Sequence, residues 1–281
     1  MKIRTSLSRL LFAAVLCTCH TGFAEQRRDW MLDVQPGGTY LDVDAVFPGA
    51  QLTLEHRIPI YEKFNEIDLR VNSLLTVPYH ESQVDLDVRV LLVTVGAGIG
   101  VNNTFRGHTF EPDEPISSAH RREREYDGDL TDETWWFTEG RVTLTIPLND
   151  YVVFQNVNAP RYENRPARSF DWRTGVVHDG LLLKSEVMVF LKHREIGAFA
   201  PLVQLLNFDL DDDRHTVINL GYTLVTRPGF RRQDDILLLS MLFYTATLSD
   251  DMDIEDVYGF HPFFAPFTFS LVYRAVVDLN E

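Results

Sequence analysis

The feature that most limits the folds open to this chain is a two-residue rhythm of apolar and polar side chains, sustained over long segments. In residues 66–79, Ile67, Leu69, Val71, Leu75, Val77 and Tyr79 share one phase, while Glu66, Asp68, Arg70, Asn72 and Thr76 share the other. Successive side chains of a strand point to opposite faces, so this segment, if extended, has one greasy and one ionic face. The rhythm recurs with Leu41, Val43, Ala45 and Phe47 against Asp42 and Asp44, and with Val142, Leu144, Ile146 and Leu148 against Arg141, Thr143 and Thr145. It returns in Ile218, Leu220, Tyr222 and Leu224, and runs longest from Phe263 through Phe267, Phe269 and Leu271 to Leu279. Helical spacing is poor throughout and β-branched and aromatic residues crowd these stretches, so the chain reads as nearly all β.

The first 24 residues read as an export signal. Lys2, Arg4 and Arg9 precede the apolar run Leu10–Cys17, and Gly22-Phe23-Ala24 is a small-x-small cleavage site. Removing three basic residues takes the formal charge from −15 to −18 for residues 25–281, and both cysteines, Cys17 and Cys19, leave with the signal. The domain that remains must hold itself together by burial and hydrogen bonding, without disulfides. Its acidity argues against a nucleic-acid partner, which would want a basic face. No apolar run of about 18 residues follows the signal, so a membrane helix is excluded, whereas a membrane barrel is not.

Turn residues place strands at 28–35, 39–47, 51–58, 66–79, 82–104, 133–148, 151–161, 179–192, 198–210, 214–226, 236–248 and 261–279. Connections at Pro48-Gly49, His80-Glu81, Asn149-Asp150 and Arg194-Glu195 are short, while 105–132, 162–178 and 249–260 are long and polar. With the signal and the aromatic last strand, this pattern resembles the Gram-negative outer-membrane β-barrel class. The resemblance implies one antiparallel transmembrane β-barrel of about 12 strands in the cell outer membrane. It also implies that Leu69, Val71, Phe267, Phe269 and Leu271 face hydrocarbon. A soluble β-sandwich binding a hydrophobic ligand is the alternative, since its strands alternate in the same way with the apolar face turned inward.

Asp68, Arg70, Asp85, Asp87, Arg89, Lys184 and Glu186 are expected to line the lumen, where mixed charge would orient a small solute. The expectation is a non-enzymatic pore, partnered by outer-membrane lipid and needing no metal or cofactor. Reversal of Asp68 or Asp87 in such a lumen should leave folding nearly intact. Segments 198–208 and 236–245 are apolar on both faces, which implies that part of the lumen is packed. The change of apolar phase between Val90 and Val95 reads as a bulge, with Gly96, Gly98 and Gly100 on the opposite face.

Candidate chemistry is sparse. His80-Glu81-Ser82 places a base and a hydroxyl on one face of a strand, and this spacing resembles the outer-membrane phospholipase family. That family's motif continues Asn-Gly-Arg, whereas this chain continues Gln83-Val84-Asp85, so the pair is read first as part of a polar periplasmic turn. The alternative is a barrel-embedded lipid hydrolase aided by Ca²⁺ at an acidic loop. Ser118 with His120, the oxygens of Asp127–Glu133, the cluster Asp250–Asp256, and Asp209 with Asp211–Asp213 are read as solvated loops rather than sites.

Overall fold

The structure is a computed structural model, and it describes residues 38–46, 49–60, 65–107, 109–111, 114, 116, 131–193, 197–226, 236–248 and 268–278. The strands are β1 (Gly38–Val46), β2 (Gly49–Pro59), β3 (Asn65–Thr76), β4 (Tyr79–Val90), β5 (Val93–Gly107), β6 (Thr131–Asn149) and β7 (Val152–Glu163). After the two-residue strands β8 (Ser169–Phe170) and β9 (Val177–His178) come β10 (Leu181–His193), β11 (Gly197–Leu210), β12 (Asp213–Thr226), β13 (Ile236–Thr247) and β14 (Thr268–Asp278). All but β8 and β9 form one antiparallel barrel in chain order, closed where β14 pairs with β1 from Tyr40↔Asp278 to Val46↔Val272. Closure leaves no unpaired sheet edge, the condition for β-structure inside a bilayer.

The direction of the two faces separates barrel from sandwich. Leu69 is 44% exposed and Val71 47%, while between and beside them Asp68 and Arg70 are only 4% and 7% exposed. Leu52, Leu54, Leu86 and Ile99 point outward with them, and Glu55, Asp85 and Arg141 point inward. A sandwich would bury the apolar phase. Here it forms the outer wall, as the lipid-facing band of a membrane barrel does. Side chains of Phe267, Phe269 and Leu271 lie outside the described residues, as do the expected strand 28–35 and the signal.

Two corrections concern the wall nearest the candidate chemistry. Residues 82–104 are not one bulged strand but two, joined by the two-residue turn Leu91-Leu92 between the paired Val90 and Val93. The apolar phase changes because the chain reverses, and the strand count reaches twelve without segment 28–35. Likewise β3 ends at Thr76, whose hydroxyl accepts from the Tyr79 amide at 3.1 Å. Tyr79 therefore opens β4 on the inner face, 4% exposed, instead of sharing the outward phase of Val77.

Chain direction sorts the connections into two ends. Connections 60–64, 91–92, 150–151, 194–196 and 227–235 share one, here the turn end; 108–130, 164–180 and 248–267 share the other, the loop end. The short connections 47–48, 77–78 and 211–212 also lie at the loop end. His80 therefore belongs to the loop end, not to a periplasmic turn.

Leu86, mid-strand on the outer wall and 49% exposed, gives a direct check. Leu86→Arg should cost about 2–4 kcal/mol in urea unfolding from liposomes, while the same change at Leu75, beside the loop end, should cost roughly 0–1 kcal/mol.

Candidate functional site

The inward face divides into two halves. On β2 to β7 it is ionic. Arg141 reaches Asp87 at 3.1 Å and Asp85 at 3.4 Å, Arg70 pairs with Asp87, and Arg89 meets Glu66 at 2.7 Å. Gly96 and Gly98 make this possible, because a Cβ on either would collide with the Asp87 or Asp85 carboxylate. Nearer the loop end Arg161 lies between Glu81 at 2.7 Å and Glu163 at 2.5 Å, with its guanidinium 3.4 Å from the centre of the Phe137 ring.

On the turn-end part of β7 and on β10 to β12 the inward face is mostly apolar. Val153, Val157, Met188, Phe190, Ala198, Ala200 and Leu202 form one buried cluster. Leu182, Leu206, Phe208, Leu210 and Val217 form a second with Phe110, Phe170, Val176 and Val177. This explains the segment 198–208, apolar on both faces, because one face meets lipid and the other fills the barrel. Between these clusters Glu186, fully buried, pairs with Lys184 at 3.6 Å and accepts from Gln204 at 2.8 Å.

Segment 164–180 folds over the loop end as a cap. Arg173 pairs with Glu139 at 3.2 Å, Arg165 with Glu163 at 2.8 Å, and Arg168 with Asp211. Burial alone would raise the Asp171 carboxyl, but the hydrogen bond from His178 and the charges of Arg173 and Arg165 outweigh it. They hold the group well below its ordinary value of about 3.8. A depressed carboxyl contributes stability that is fully present above its ordinary value and lost only as pH falls through the lower, folded one. The cap should thus resist added protease unchanged from pH 7 to pH 5 and become cleavable only below roughly pH 3.8; Asp171→Asn should make it cleavable at pH 7.

Of the residues expected to line the lumen, Asp68, Arg70, Asp85, Asp87 and Glu186 are buried on the inner face, and Arg89 and Lys184 are partly buried there. Asp87, Arg70, Asp85, Arg89, Lys184 and Glu186 are paired with neighbours, and Asp68 lies 4.0 Å from Arg57, so the inner face is crowded with ion pairs and not open as a channel would be. Ser169 and His178, cross-strand partners in the cap, are also fully buried. The Ser169 hydroxyl donates to the Pro166 carbonyl, and His178 Nδ1 accepts from the Gly180 amide, so this pair is neither coupled nor accessible.

The outer wall holds the accessible pair. His80 and Ser82 lie between the inward-facing Tyr79, Glu81 and Gln83, so both point outward, and Ser82 is paired across strands with Ser73. The Nε2 atom of His80 is 3.3 Å from Ser82 Oγ and 3.1 Å from Ser73 Oγ. On the far side His80 faces Asn103, whose amide oxygen accepts from the Thr134 hydroxyl at 2.9 Å. Ser73, Asn103 and Thr134 were missed in the sequence, although two of them interrupt an apolar phase: Ser73 between Val71 and Leu75, Asn103 between Val101 and Phe105. Only the register shows that the interruptions adjoin.

Depth follows from counting. Strand rise of about 3.3 Å per residue at roughly 40° tilt gives about 2.5 Å of height per residue, so Ser82 stands roughly 25 Å above Leu92. That is the height of a barrel's apolar band. The row Ser73, Ser82, Val101 and Trp136 runs along the ladder. Trp136 is 44% exposed and packs on Tyr162 at 5.7 Å, as in an interfacial aromatic girdle. By this count the hydroxyls sit near the loop-end edge of an apolar band of that height.

Among the described residues no group of three or more His, Cys, Asp or Glu side chains is arranged to hold a metal ion. Asp209 pairs with Arg214 and Asp211 with Arg168. Ser118, His120, Asp127–Leu130 and Asp250–Asp256 lie outside the described residues.

An apolar outer wall, a closed antiparallel ladder and ion pairs within define the class: a transmembrane β-barrel with a packed interior. No protein-family model matches the chain and no curated protein matches its sequence. Among solved structures it is similar to LpxR from Salmonella typhimurium at 9% identity and a TM-score of 0.40, over 85% of this chain and 100% of that one. The expectation of a non-enzymatic pore is corrected. Ion pairs and apolar packing occupy the inner face, where an open pore would need a free path. The reading of the chain as not an enzyme is corrected with it: among the described residues a hydroxyl and an imidazole lie in contact on the outer wall.

Proposed function

We propose that the chain is an exported outer-membrane barrel whose lipid-facing wall hydrolyses an acyl ester of membrane lipid, with Ser82 as nucleophile and His80 as general base. The observation that carries this reading is the contact of Ser82 Oγ with His80 Nε2 on the outward face, at the height where lipid ester bonds lie. A neutral imidazole accepts the hydroxyl proton as Oγ attacks the ester carbonyl carbon, then returns it to the departing alkoxide. Water, deprotonated by the same nitrogen, cleaves the acyl-serine. Ser73, opposite Ser82 across the ladder, supplies a second hydroxyl to donate to the developing oxyanion. The loop end faces outward by the usual asymmetry of such barrels. Substrate would therefore be drawn from the outer leaflet by lateral diffusion along the wall, with no passage through the barrel.

The test is release of fatty acid from glycerophospholipid and from lipopolysaccharide by the refolded protein in vesicles, with and without chelator. Labelling by a fluorophosphonate probe, mapped by peptide mass, reads the same site independently. Fatty-acid release that persists in His80→Ala, or probe bound away from Ser82 and Ser73, would overturn the assignment.

A further inference from the structure

The turn end of the same wall carries a feature that neither the fold nor the proposed chemistry requires. The connection of β4 to β5 is Leu91-Leu92, flanked by Val90 and Val93; in chain order, Val90 to Val93, these four side chains are 53%, 63%, 45% and 38% exposed. Leu91 has φ of 54°, a left-handed conformation that glycine adopts freely and a branched apolar side chain does not. At the loop end the equivalent two-residue connection of β11 to β12 also takes positive φ, at 53° and 67°, but there the residues are Asp211 and Asp212. The backbone geometry thus does not call for leucine. Neighbouring connections extend the patch: Ile58 and Ile60 on one side are 46% and 52% exposed, and Leu148 and Tyr151 on the other are 63% and 52% exposed. The patch is continuous with the outward apolar faces of β4 and β5 above it.

We infer that the Leu91-Leu92 turn is a lipid anchor, immersed in the acyl chains of the leaflet at the turn end, and that it fixes the depth of the β3–β6 wall. The occupant is lipid because the patch prolongs the lipid-facing wall without a break and has no charged side chain within Val90–Val93. A short polar turn would let this wall slide along the membrane normal; a leucine tip held in hydrocarbon does not. The inference rests on the barrel and not on catalysis.

The test uses the full chain with Cys17 and Cys19 replaced by serine and one new cysteine at 91 or 92, labelled with a fluorophore and reconstituted in phosphatidylcholine vesicles. Positions 86 and 150 serve as hydrocarbon and water references. The anchor is supported if labels at 91 and 92 are quenched by nitroxide lipids as at 86 and shielded from iodide at least fivefold relative to 150. Iodide quenching equal to that at 150 would overturn it, and so would shielding from both quenchers, which would mean a protein partner covers the tip. In the double variant Leu91→Asp, Leu92→Asp the tip should leave the hydrocarbon and draw the wall after it. A label at Val101, in the row of Ser82, should then be quenched more by deep nitroxides; unchanged depth would refute the anchoring role.

Discussion

Ser82→Ala is expected to lower lipid ester hydrolysis by roughly 10³-fold or more, the consequence of losing a nucleophile that acts as a unit with its base. Ser73→Ala should cost less, on the order of 10²-fold, as for loss of one oxyanion donor. Both hydroxyls sit on His80 Nε2 at nearly equal distance, 3.3 against 3.1 Å, so the order of the two losses decides which of them attacks. A larger loss at Ser73 would exchange their roles, and full activity in both variants would end the hydrolase reading. Neither substitution threatens the fold, since both residues point outward and are only partly buried. Heat-modifiable migration of the folded barrel should be unchanged, which keeps the activity measurement interpretable.

Arg161→Ala is expected to be among the most damaging single changes to stability. The side chain is 1% exposed and is shared by Glu81, Glu163 and, at 3.7 Å, Glu139. Its loss leaves buried carboxylates short of their counter-charge and empties the space above Phe137. Breaking a buried pair by deleting one partner costs about 3–5 kcal/mol. Urea unfolding in liposomes measures it, and a cost below about 1 kcal/mol would mean water reaches these carboxylates after all. The same reasoning reverses the expectation for Asp87. A reversal to Lys would set three cations together beside Arg70 and Arg141, so it should destabilise strongly where a water-filled lumen would have tolerated it.

Much of the barrel is legible in the order of residues because the two faces of a strand have different solvents. Leu69, Val71 and Leu86 had to share a surface that Asp68, Arg70 and Asp87 could not, and a period of two writes that demand directly into the chain. Boundaries are less legible where both sides of a turn continue the apolar run. Val90-Leu91-Leu92-Val93 contains no glycine, proline or polar residue, so nothing local distinguishes the reversal there from a bulge. The motif His80-Glu81-Ser82 is visible, but the end of the barrel it occupies depends on counting that reversal.

What the residues along one strand could not convey was anything that depends on which strands lie side by side. The alternation of Asp85, Asp87 and Arg89 is equally compatible with an open lumen and a filled one. The lumen is filled because Arg141 and Arg70, distant in the chain, both reach Asp87, and because the apolar inner faces of β10 to β12 meet segment 164–180. Ser73 could be joined to His80 only by the β3–β4 register, which sets Ser73 opposite Ser82. Sequence alone determined the faces, because each residue's preference for lipid or for polar company is its own. Pairing across the ladder determined the site and the closed interior, because hydrogen bonds and ion pairs belong to neighbours in space.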